Sequence, residues 1–117
     1  MTQFAVVSET SGRELVEIVS QHVDLRDEGP ITGTLDTSCR HLIVSVQHPW
    51  LKPRDTGYDN YDPQSLLHVE VYHSSSGGPA NPDSESKSIL RQIWDQLERP
   101  VAYSLQPEGG KREFDEL

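Results

Sequence analysis

Two stretches of alternating apolar and polar residues, His41–Gln47 and Leu66–His73, limit what this chain can fold into more than any other feature. Leu42, Val44 and Val46 fall on one side of the first, and Leu67, Val69 and Val71 on one side of the second. A period of two belongs to a strand whose two faces meet different surroundings. If the strands pair antiparallel, both apolar sets reach one core only when the paired residue numbers have an odd sum, as with Val44 opposite Val69. A slip of one residue sends one set into water. The same parity gathers His41, Ile43, Ser45, His68, Glu70 and Tyr72 on the other, mixed face.

The remaining elements follow from capping and breaking signals. Phe4–Val7 is a short apolar run that reads as a first strand. Ser11-Gly-Arg-Glu14 matches a capping box, and Leu15, Ile18, Val19 and His22 continue at helical spacing to about Val23. Asp27-Glu-Gly-Pro30 breaks that helix. Ile31–Leu35 alternates weakly and reads as a short edge strand. Ser74–Asp83 is rich in turn formers, and a second helix is expected over Glu85–Glu98, with Ile89, Leu90, Ile93, Trp94 and Leu97 on its buried side. Pro100 ends it, and Val101, Tyr103 and Leu105 alternate as a last strand.

This order predicts an α+β domain: a mainly antiparallel sheet of four to five strands with two helices on one face. A ferredoxin-like split βαβ arrangement is the favoured version, with Ile31–Leu35 as an addition. Residues 1–106 read as a single domain, and residues 107–117 as a flexible C-terminal tail. The second sheet face is then free to bind, to pair in a homodimer or to meet solvent.

Composition bounds the function. Nineteen Asp and Glu against ten Lys and Arg give a formal net charge of −9 on 117 residues. Such a surface repels nucleic-acid backbones and anionic membranes and attracts cationic partners over a distance set by salt screening. The single cysteine, Cys39, excludes an intramolecular disulfide and a zinc site built on several thiolates. The first ten residues lack the basic and apolar regions of a signal peptide, so a reducing cytoplasm is the expected location.

Three constellations could carry chemistry or binding. The five histidines, His22, His41, His48, His68 and His73, show no metal-ligand spacing, and no metal or other cofactor is expected. In one parity-allowed register Ser45 lies across from His68, with Glu70 two residues along the same face. Serine, histidine and a carboxylate are the ingredients of nucleophilic catalysis, although no glycine-rich turn near Ser45 offers an oxyanion hole. The excursion between the two strands supplies the third constellation. Trp50, Tyr58 and Tyr61 are amphipathic anchors among the acceptors Asp55, Asp59 and Asp62, the residue mix of a protein-binding hot spot. The reading that best unites charge and composition is a small acidic cytoplasmic protein-binding domain. It would inhibit or neutralise a basic protein, as an immunity protein or an antagonist of a nucleic-acid-binding groove does. Two alternatives stand beside it: a small histidine- and carboxylate-dependent enzyme, hydrolytic if Ser45 takes part, and a self-associating structural domain.

Overall fold

In a computed structural model describing residues 1–28, 31–47, 65–105 and 110–117, the elements run β1 (Gln3–Val7), α1 (Gly12–Ser20), β2 (Arg26–Asp27), β3 (Ile31–Asp36), β4 (Arg40–Val46), β5 (Leu66–His73), α2 (Ser84–Trp94), β6 (Val101–Ser104) and β7 (Lys111–Arg112), then a 3-10 turn (Phe114–Glu116). The strands form one sheet in the order β2-β3-β4-β5-β1-β6-β7, every neighbouring pair antiparallel. β4 and β5 take the odd-sum register, with Val44 opposite Val69 and Leu42 opposite Val71. The four to five strands expected become seven, because β2 and β7 add two-residue pairings too short to leave a periodic signal.

Both helices pack on one sheet face. Phe4 and Val6 of β1, the apolar sets of β4 and β5, and Ala102 of β6 form one buried cluster with Leu15, Ile18 and Val19 of α1 and Leu90 and Ile93 of α2. Ser11 caps α1 by accepting from the Glu14 backbone N–H at 3.2 Å. α1 tightens after Ser20, where Gln21 and His22 donate three residues back, so it ends before the expected Val23. α2 likewise stops at Trp94, although Leu97 stays buried in the following turns. No helix among the described residues is long and apolar enough to cross a membrane.

Ile31–Leu35, read as an edge strand, is an inner strand one residue longer, with β2 outside it. Gly33 makes room for this. A Cβ there would lie 2.5 Å from both the Asp24 carbonyl oxygen and Val23 Cγ1, so the chain leaving α1 crosses β3 at backbone contact distance. Among the described residues, two non-glycine residues have left-handed backbones, Gln47 at φ 55° leaving β4 and Arg99 at φ 50° before Pro100.

Two further expectations are corrected. The mixed face is not open at its centre: Ala5, Val7, Leu66 and Tyr103 form a second buried cluster there, and Ser45 and His68 are only 4% and 5% exposed. Nor are residues 107–117 a loose tail from Gly110 onward. Lys111 and Arg112 pair with Tyr103 and Ala102, and Leu117 is 4% exposed. Phe114 and Leu117, three residues apart, lie on one side of a single turn and pack onto the main cluster.

Candidate functional site

The polar cluster on the mixed face is a product of strand register. β5 is flanked by β4 and β1, so His68 lies between Ser45 and Ala5, and Glu70 between Ile43 and Gln3. The sequence-predicted set Ser45, His68 and Glu70 is thereby brought together. Gln3, diagonal to His68, places its amide nitrogen 3.1 Å from His68 Nε2 and 3.4 Å from Glu70 Oε1. An amide NH2 can donate to both, with the imidazole's role at Nε2 set by its tautomer. Glu70 Oε1 is 3.8 Å from the same Nε2, and Glu70 Oε2 accepts from the Tyr72 hydroxyl at 2.8 Å. That hydrogen bond, aided by burial and by the carboxylate's charge, raises the Tyr72 phenol above its ordinary pKa.

The hydrogen bonds do not follow the order of a catalytic triad. The Ser45 hydroxyl pairs with Thr32 Oγ1 at 3.1 Å, across the β3–β4 pairing. Glu70 meets the imidazole at the nitrogen that Gln3 also contacts, whereas a triad carboxylate orients the ring from the nitrogen opposite the nucleophile. These bonds form two groups, Thr32 with Ser45 across β3 and β4, and Gln3, His68, Glu70 and Tyr72 across β1 and β5. Gln3 and Thr32 were not singled out from the sequence. The signal for Gln3 was its polarity two residues before Ala5 in an otherwise apolar strand, but only the placement of β1 beside β5 gives that signal meaning.

Trp50, Asp55, Tyr58, Asp59, Tyr61 and Asp62 lie outside the described residues, as does His48. Gln47 and Ser65 flank the segment that carries them as its roots. The Gln47 backbone N–H donates to the Leu66 carbonyl at 3.1 Å, and the Ser65 hydroxyl donates to the Thr10 carbonyl. Thr10 is buried, and its hydroxyl accepts from the Glu98 N–H at 2.8 Å. These contacts tie the root at Ser65 to the end of the sheet where Val7 faces both Leu66 and Val101. Pairing of Val46 with Ile31, and of Ile31 with Asp27, brings β2 to the same end.

Exposed carboxylates near those roots are Glu9, Asp27, Glu28 and Glu98. Of the cations nearby, Arg99 is engaged by Glu9 at 3.4 Å, and Arg26 lines a polar groove of about 370 Å³ with Asp24, Glu28, Thr32 and Thr34. Acidic charge is not confined to this end, since Glu14, Glu17, Glu85, Asp95, Glu113, Asp115 and Glu116 are exposed elsewhere. Cys39 is exposed on the β3–β4 turn. Among the described residues no three His, Cys, Asp or Glu side chains are placed to hold a metal ion. Comparison of the chain with protein-family models, with curated proteins and with solved structures finds no match.

Proposed function

We propose that this chain is a small acidic binding domain that docks a basic protein and inhibits or neutralises it, as an immunity protein or an antagonist of a nucleic-acid-binding groove does. The observation that carries the reading is the sheet end just described. The segment bearing Trp50, Tyr58, Tyr61 and Asp55, Asp59 and Asp62 is rooted where Glu9, Asp27, Glu28 and Glu98 are exposed. Aromatic anchors flanked by carboxylates suit a cationic surface: charge speeds the encounter, and buried aromatic contact slows departure. On the mixed face, by contrast, the Ser45 hydroxyl is engaged by Thr32 and the Glu70 carboxylate by Tyr72 and Gln3. The scaffold reads as a split βαβ unit of ferredoxin-like kind formed by β6-β1-β5-β4 with α1 and α2, to which β2, β3 and β7 are additions. A reducing cytoplasm suits a chain whose single thiol is free.

The test is capture of binding partners from the native cell by the full chain, followed by affinity measurements on the purified partner. A basic protein should be retained, and Trp50→Ala and Asp59→Lys should each weaken its binding. An additional Glu28→Lys should slow association further as charge at that end is reversed. Capture that is unchanged in all three variants would sink the reading.

A second reading rests on the contact of buried His68 with Glu70 and Gln3: a small enzyme using His68 as acid or base. It requires an activity whose pH profile inflects near neutrality and loses that inflection in His68→Ala. An activity retained in Ser45→Ala would exclude Ser45 as its nucleophile.

A further inference from the structure

The segment Phe114–Leu117 packs onto the main core cluster beside α2. It lies on an apolar groove between α2 and the sheet, walled by Val6, Leu67, Leu90, Ile93, Trp94 and Leu97. The Phe114 ring meets Trp94 edge-on at 5.3 Å between centroids, and the Arg91 guanidinium sits 4.7 Å above it, within cation–π range. Lys87 Nζ donates to the Asp115 carbonyl at 3.1 Å. The fit is incomplete, since about 10 Å³ beside the occupant stays unfilled.

Two observations set this segment apart from the rest of the core. Its sheet anchor is a strand of only two residues, β7, supplemented by single bonds from the Ser104 N–H to the Gly110 carbonyl at 2.9 Å and from the Met1 amine to the Leu117 carbonyl at 3.3 Å, so limited backbone pairing resists its local release. Its removal would uncover a continuous apolar floor rimmed by Lys87 and by Arg91, which also pairs with Asp95 at 3.1 Å, two cations on a chain of net charge −9. An apolar floor with a cationic rim fits a peptide carrying an aromatic residue, acidic residues and a leucine one turn later, which is the chemistry of Phe114-Asp-Glu-Leu117 itself.

We infer that the α2 groove is a binding site for acidic peptides with an aromatic residue and a leucine three positions apart, held occupied in cis by Phe114–Leu117. The site uses residues other than those of the proposed docking end and stands independently of it. A partner segment of this class gains the groove by displacing the resident turn, and the tethered turn competes as a built-in inhibitor.

The test uses the full chain carrying Phe114→Ser and Leu117→Ser, and a fluorescent peptide of sequence Arg-Glu-Phe-Asp-Glu-Leu followed by anisotropy. The double variant should bind the peptide and the unmodified chain about tenfold or more weakly, because a tethered competitor acts at an effective concentration of order millimolar. Replacing phenylalanine in the peptide by alanine, or adding Arg91→Glu to the variant, should abolish binding. A cooperatively melting double variant that does not bind the peptide overturns the inference. If the double variant does not melt cooperatively, Phe114→Ala alone is judged by the same criteria. Failure of that variant to fold would also overturn the inference, since the turn would then be core and not an occupant.

Discussion

Asp83 shows how one side chain starts an element. Its carboxylate accepts from the Ser86 N–H at 2.9 Å and from the Ser86 hydroxyl at 2.8 Å, while Ser86 Oγ accepts from the Asp83 N–H at 2.9 Å. The backbone hydrogen bond from Ser86, then that from its side chain, hold the Asp83 carboxyl below its usual pKa, with help from Arg40. A carboxylate whose folded pKa is depressed adds stability above its unfolded pKa and loses it as pH falls through the folded value. Asp83→Ala should therefore destabilise the fold by about 1 kcal/mol near neutrality, a typical N-cap loss. The gap between variant and parent in denaturant titrations should close as pH drops below about 4. Tyr72 has the opposite sign. Its raised pKa means that the neutral phenol is favoured in the fold, a contribution present below its unfolded pKa and lost as pH climbs through the folded one. Ultraviolet titration should find one tyrosine ionising late. Glu70→Gln should bring it back toward the ordinary value, and Tyr72→Phe should remove it.

At the scale of elements, Gly33 is the most exposed to substitution. An alanine Cβ would fall on the Asp24 carbonyl oxygen and on Val23, and neither is the far end of a flexible side chain. Gly33→Ala should cost about 1–3 kcal/mol through forced backbone displacement, read as a fall in melting temperature. An unchanged melt would mean that the chain after α1 does not cross β3 there. The contrast with β4 and β5 shows what a sequence can express. Their pairing was legible because each carries three apolar residues at strict alternation, so burial dictates the parity, and Ser45 opposite His68 follows from it. β2 and β7 were not legible, because two residues hold no period and their pairing exists only once β3 and β6 are placed. The burial of the mixed face escaped for a similar reason. Ala5, Val7, Leu66 and Tyr103 come from three strands, and no local pattern joins them.

For the molecule as a whole, charge is the dominant long-range property. Glu9, Asp27, Glu28 and Glu98 stand near one end, and the net charge of −9 gives them a field of consistent sign. Association with a basic protein should slow as ionic strength rises, while its dissociation, governed by close contacts, should change far less. Stopped-flow rates independent of salt would count against steering. The acidity behind this expectation could be read from composition, whereas the nearness of Glu9, Asp27, Glu28 and Glu98 to Gln47 and Ser65 depends on which strands neighbour which. The sheet's outermost strands have a consequence of their own. β2 and β7 each stop after two residues, and charged side chains, Arg26 with Asp27 and Lys111 with Arg112, occupy them. Short, charged margins give an approaching copy scant ladder to extend, so the protein should stay dispersed at concentrations where long bare borders would seed fibrils.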